Sequence, residues 1–179
     1  MMNIKSLRYF YFGNNLDNII KVNLLKYKYI SYVFMWNNDK QTAFEIKKYC
    51  KKNNIKFYIS NNVNFAKNIK ADGIHISRFD RKINYINKDK FDIIGTSHNQ
   101  LDYYFKKQQG CKSLFISPIF KTKKYSENKF LGTIKFNLLS KNWSMPVYAL
   151  GGINKKNIIK LTLTRTVGIG GITYIETMK

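Results

Sequence analysis

Short β-branched and aromatic runs alternate with amphipathic stretches along the whole chain. Residues 7–12 (LRYFYF) predict a strand and 16–25 a helix. Residues 29–34 predict the next strand, followed by a helix opening at Asp39 that sets Ala43, Ile46 and Cys50 on one face with lysines opposite. The rhythm repeats with a strand at 57–60 and a helix from Asn62 that turns Val63, Ala66 and Ile69 inward. A strand at 73–76 precedes a weaker helical stretch at 82–87. A strand at 92–96 precedes a helix from Asn99, whose buried side is expected to hold Leu101 with Tyr104 and Phe105. Strands at 113–117, 146–150 and 167–172 complete the series, with a short helix near 132–140 and another starting at Asn154.

Eight strand signals separated by helical patterns imply right-handed βαβ units and a parallel sheet. Eight units can close into a compact (β/α)8 TIM barrel, at roughly 22 residues per unit. Only residues 174–179 follow the eighth strand, so the last helix is expected to be short or missing. A doubly wound open sheet fits the same alternation. No G-x-G-x-x-G follows the first strand, which weakens the dinucleotide version of that fold. With 179 residues, the expected organisation is one barrel domain over 1–179.

The formal charge of +22 invites a nucleic-acid reading, and the distribution of that charge argues against it. Nearly all basic residues are lysines; the arginines are Arg8, Arg78, Arg81 and Arg165. The lysines are spread over every segment, whereas base reading and phosphate clamps lean on arginine and on clustering. Nucleic acid is therefore not the expected partner; a diffuse positive field suits small phosphorylated ligands better. No segment approaches the roughly 18 apolar residues of a membrane span, and the apolar run at 9–12 is too short for a signal-peptide core. A soluble, cytoplasmic chain is expected. Cys50 and Cys111 lie far apart without CxxC or Cys-His companions, as buried thiols would.

In a barrel, chemistry lies in the loops that follow the strands. Gly151-Gly152 follows the seventh strand and Gly170-Gly171 the eighth, where barrels build phosphate sites. Glycine lets an anion approach backbone N–H groups, and Thr173 adds a hydroxyl. The loop SPIFKTKKYSENKFLG, residues 117–132, carries four lysines and a threonine after the sixth strand. His75, near a strand end, reads alone as a core histidine. Asp80 offers a hard oxygen ligand for Mg²⁺, but Asn61 and Asn62 bring no second carboxylate.

Together these motifs resemble the thiamine phosphate synthase family and its relatives, the thiazole tautomerases. ADGIHISRFD (71–80) is similar to the family's ADGVHLGQxD, and IIGTSHN (93–99) to IGVSxHx. SPIFKTK (117–123) is similar to GPIFPTxTK, PVYALGGIN (146–154) to PVVAIGGIN, and GIGGITYI (168–175) to GVAVVSAI. The resemblance covers about 57–175 and implies a (β/α)8 barrel that joins an aminopyrimidine pyrophosphate to a thiazole phosphate, releasing pyrophosphate. It implies small phosphorylated thiamine precursors as partners and Mg²⁺ as cofactor, with Asp80 as a metal ligand.

By the same resemblance, Thr122, Gly151, Gly152, Gly171, Ile172 and Thr173 hold the thiazole phosphate. His75 with Thr96 or Ser97 faces the pyrimidine. Asn61, Arg78, Lys123 and Lys124 fall on the pyrophosphate side. The family's N-D-R after the third strand is here Ser60-Asn61-Asn62, its GQxD glutamine is Arg78, and its Q-x-R-x-K has no counterpart in YVFMWNN (32–38). Arg78 and Lys121, Lys123 and Lys124 are then the candidate electrostatic substitutes. Two alternatives stay open: a thiazole tautomerase with His98 as acid/base, which needs no metal, and a barrel that binds thiazole phosphate without turnover.

Overall fold

Eight parallel strands pair in chain order and close on themselves, β1 (Arg8–Gly13) returning to β8 (Gly168–Gly171). Between them run β2 (Ile30–Phe34), β3 (Lys56–Ser60), β4 (Gly73–Ile76), β5 (Asp92–Ser97), β6 (Ser113–Ile116) and β7 (Val147–Leu150). The computed structural model describes residues 7–82, 91–122 and 130–177. This is the (β/α)8 barrel that the alternation predicts.

Strand side chains alternate between two cores, as the period of two requires. Phe10, Phe12, Val33, Tyr58, Ile94, Phe115 and Tyr148 fill the barrel interior. Phe115 packs edge-on against Phe10 and Phe12, with ring centroids 5.1 and 5.0 Å apart. Gly170 makes room for these rings, since a Cβ there would lie 2.8 Å from Phe115 and 2.9 Å from Phe12. The other strand faces pack against helices in a second, larger core that includes Tyr32, Phe57, Ile74, Leu114 and Ala149.

The helices are α1 (Asn18–Leu25), α2 (Lys40–Lys52), α3 (Val63–Asn68), α4 (Gln100–Gln108), α5 (Gly132–Ser140) and α6 (Thr173–Glu176). Asp17, Asp39, Asn62 and Asn99 cap the first four, each side chain accepting from the N–H three residues on. The α2 face buries Ala43, Ile46 and Cys50, and α3 buries Val63 and Ala66, as the pattern predicts. The last helix is a single turn. Asn23 on α1 donates to the Ile175 carbonyl at 2.8 Å, and the Tyr11 hydroxyl donates to Glu176 at 2.9 Å, so α6 is tied down despite its length.

Two helices differ from expectation. The buried side of α4 is Asp102, Tyr103 and Lys106, while Leu101 and Tyr104 are exposed and Phe105 is half-buried. The helix is rotated so that Tyr103 stacks on Trp143, ring centroids 4.7 Å apart, while Asp102 and Lys106 meet a polar loop. After β7, the chain forms a turn and then a 3-10 helix at Ile158–Leu163, not an α-helix from Asn154. Asn154 accepts from the N–H groups of Lys156 and Asn157, and Thr162 and Thr164 each bond the carbonyl three residues back. These local side-chain bonds compete with the α-helical ladder. The helical stretch predicted at 82–87 lies outside the described residues except for Lys82.

Among the described residues, no helix is long and apolar enough to cross a membrane. Cys50 and Cys111 are free and buried, and burial pushes both thiols up to about 12, which keeps them unreactive.

Candidate active site

The loops after the strands form a mouth with two distinct halves. On the β6–β8 side the backbone itself shapes the site. Gly151 and Gly152 adopt φ of 93° and 72°, the left-handed region that favours glycine. A Cβ on Gly152 would sit 2.4 Å from the carbonyl oxygens of Phe120 and Lys121, so the loop after β6 lies directly on this turn. Two backbone bonds clasp the loops together, Ile119 N–H to Leu150 O at 2.9 Å and Phe120 N–H to Gly151 O at 3.1 Å.

Beside them, the Thr122 hydroxyl is buried and makes no hydrogen bond among the described residues. A buried hydroxyl without a partner is costly, and a ligand oxygen would satisfy it. Across the turn, Gly171 has open space where a Cβ would stand, and Ile172 and Thr173 are exposed. Lys123 and Lys124 lie outside the described residues.

On the β3–β5 side, side chains do the shaping. Ser60, His75 and Thr96 stand on three neighbouring strands and bond in a line, Ser60 Oγ to His75 Nδ1 at 2.9 Å and His75 Nε2 to Thr96 Oγ1 at 2.8 Å. The ring packs edge-on against Phe12, centroids 5.2 Å apart. Burial, with the nearby Lys106 ammonium adding to it, pushes the His75 pKa down to about 3. It is a neutral bridge between strands with both nitrogens engaged. Ser97 points the other way, fully buried, and donates to the Asn99 carbonyl, so Thr96 rather than Ser97 joins His75.

Asn61 hooks this half together. At φ 59° it accepts from Ser77 N–H at 2.8 Å, while its own N–H donates to the His75 carbonyl at 2.9 Å. Arg78 donates from its guanidinium to His98 Nδ1 at 2.9 Å. Burial first, and Arg78 second, lower the His98 pKa, with Asp102 opposing them. A cavity of about 300 Å³ opens between the two loops, lined by Asn61, Asn62, Val63, Asn64, Asp80 and Lys82.

The sequence pattern of the family described as thiamine monophosphate synthase matches residues 36–177. The chain belongs to that family. The thiamine-phosphate synthase of Prochlorococcus marinus is 36% identical over 154 residues, covering 83% of this chain and 44% of the relative. Thiamine-phosphate synthase 1 of Streptococcus pneumoniae is 32% identical over 145 residues, covering 78% of this chain and 68% of the relative. The chain thus spans less than half the length of the Prochlorococcus relative. In three dimensions, the thiamine phosphate pyrophosphorylase of Pyrococcus furiosus superposes with a TM-score of 0.76 at 18% identity, covering 99% of this chain and 91% of that one.

This thiamine monophosphate synthase family member carries a weak donor set for the implied Mg²⁺. Among the described residues there is no group of three His, Cys, Asp or Glu that could hold a metal. Asp80 faces its cavity alongside three asparagines and Lys82, and Asp80 Oδ1 accepts from Lys82 N–H at 3.1 Å. One carboxylate with a lysine on the same rim does not fit a resident Mg²⁺. The pattern-based reading missed Asp102 and Lys106, buried on α4, and Gln109, buried at its C-cap, behind this half. Their signal was present as polar residues at i, i+4 and i+7, one stripe of a helix.

Proposed function

We propose that the chain acts as a thiamine phosphate synthase-like transferase, joining an aminopyrimidine pyrophosphate to a thiazole phosphate and releasing pyrophosphate. The observation that carries this reading is the β6–β8 half of the mouth. There, a turn that only glycines fit lies beside a buried threonine hydroxyl without a partner. Backbone N–H groups at such a turn suit a phosphate. Gly171, Ile172 and Thr173 complete that side, and His75 with Thr96 takes the pyrimidine side.

In the reaction, the bond between the pyrimidine methylene carbon and the pyrophosphate oxygen breaks, and its electron pair leaves on oxygen. The thiazole nitrogen lone pair forms the new carbon–nitrogen bond. This exchange abstracts no proton, so its main demand is neutralising charge on the departing group. Arg78, with Lys121, Lys123 and Lys124, supplies cations for that task, and His98 a neutral ring beside them.

One observation favours the thiazole tautomerase as a second reading. Burial and Arg78 lower the His98 pKa, so the ring is neutral near pH 7, as a base must be. The test is direct. Purified protein with Mg²⁺ and both phosphorylated substrates is expected to form thiamine phosphate, and failure to form it removes the synthase reading. Turnover of thiazole phosphate carboxylate alone would establish the tautomerase. Calorimetric binding of thiazole phosphate with neither turnover would leave a binding barrel.

A further inference from the structure

The inward face of α4 is unusual because, beside the core residue Tyr103, it buries two charged side chains that serve one loop. Asp102 has a side chain only 1% exposed and accepts from His98 N–H at 3.0 Å. The same carboxylate faces Arg78 Nε at 3.9 Å and Arg81 at 4.0 Å. One turn on, Lys106 is fully buried and donates to the Asp80 carbonyl at 2.7 Å and to Gln109 Oε1 at 2.8 Å. Gln109 then donates to the carbonyls of Asp80 and Lys82, both at 2.8 Å. A buried charge is stable only when its partners are fixed, so these three side chains hold residues 78–82 in place.

We propose that Asp102, backed by Lys106 and Gln109, is a positioning residue that seats Arg78 on His98 and thereby makes His98 a hydrogen-bond donor through Nε2. A guanidinium carries donors and no acceptor. At 2.9 Å from Arg78, His98 Nδ1 must accept, and a neutral ring then bears its proton on Nε2. Nε2 makes no hydrogen bond among the described residues. An Nε2–H can donate to an oxygen of a departing pyrophosphate, but it cannot take a proton from carbon while Arg78 stays in place. The inference deepens the synthase reading and disfavours His98 as a tautomerase base.

The chain has two histidines, which makes the test clean. Two-bond ¹H–¹⁵N spectra of the labelled full chain near pH 7 are expected to show His98 protonated on Nε2 alone. In Arg78→Gln His98 becomes a tautomer mixture and its pKa rises, and in the isosteric Asp102→Asn the tautomer mixes as Arg78 loses its seat. His75, held by Ser60 and Thr96, reports in each spectrum that the barrel is intact. If Asp102→Asn disturbs His75, Arg78→Met is the second variant, which keeps an unbranched stem but removes every donor to His98 Nδ1, and the same loosening is expected.

His98 protonated on Nδ1 in the wild-type chain, or an unchanged tautomer in the variants, overturns the proposal. In a synthase assay, Asp102→Asn is expected to lower kcat about tenfold with KM for thiazole phosphate unchanged. An inactive wild-type chain would sink the synthase reading and leave the spectra to decide this one.

Discussion

The β6–β8 half of the mouth is shaped by backbone, whereas the β3–β5 half is shaped by side chains buried against one another. In the first, the constraint is one turn at positive φ with two carbonyls against it, and the family pattern PVVAIGGIN persists as PVYALGGIN. In the second, an aspartate and an arginine of the family pattern are asparagines, and Arg78 stands where glutamine is expected. A backbone turn admits one residue type. A charged network admits many, provided the sum of charges and hydrogen bonds still balances. The difference teaches that this member keeps a rigid glycine turn, the proposed phosphate cradle, while the other half departs from the family pattern.

The sharpest way to break the comparison is Gly152→Ala. A non-glycine residue at this φ is strained by roughly 1–3 kcal/mol, and the new Cβ would meet two carbonyls at 2.4 Å. The loops after β6 and β7 must separate, and thiazole phosphate affinity is expected to fall at least about a hundredfold by calorimetry. Wild-type affinity in this variant would show that the turn does not form the cradle.

On the other half, pH provides the probe. A free histidine titrates near 6.5, and His75 in the barrel near 3. Between these values the unfolded chain binds more protons than the native one. The His75 contribution to stability is therefore complete above about pH 6.5 and is lost as pH falls towards about 3. The expected loss is about 1.4 kcal/mol per pH unit within that window, read from urea midpoints. His75→Asn should lack this slope, and an identical slope in the variant would exonerate the histidine.

Legibility followed the same division. The barrel was legible because β-branched and aromatic alternation, capping residues such as Asp39 and Asn62, and the glycine pairs each act locally. The phase of α4 was not, because Leu101 and Tyr104 satisfy an apolar pattern and yet face solvent. Its true inward face was selected by Arg78, Arg81 and the Asp80 carbonyl, which come from 21 to 29 residues away in the chain. The polar stripe at Asp102, Lys106 and Gln109 is visible in the sequence, but partners of that range leave no local sign that it faces inward. Asn61 shows the same limit, since its hook onto Ser77 depends on how β3 and β4 pair.

The β3–β5 half can also be pushed back towards the family pattern. Asn61→Asp would place a second carboxylate on the cavity that Asp80 lines, and aspartate tolerates the left-handed conformation Asn61 adopts. Metal affinity follows ligand charge, so Mg²⁺ binding is expected to tighten about tenfold by calorimetry. Equal affinity in both proteins would mean that the Asp80 side of the mouth cannot gather a metal even with its carboxylate restored.

The smallest effect, and the one with opposite signs in two measurements, belongs to Thr122→Val. Its hydroxyl is buried without a partner among the described residues, so replacing it with a methyl relieves an unsatisfied group. The ligand-free protein is expected to gain up to about 1 kcal/mol of stability, while thiazole phosphate loses one hydrogen bond and binds roughly three- to tenfold more weakly. A residue that only packs would move both quantities in the same direction, because the loosened loop would destabilise the fold and the complex together. Stability up and affinity down therefore marks Thr122 as a ligand contact, and unchanged affinity would confine the thiazole phosphate to the glycine turn alone.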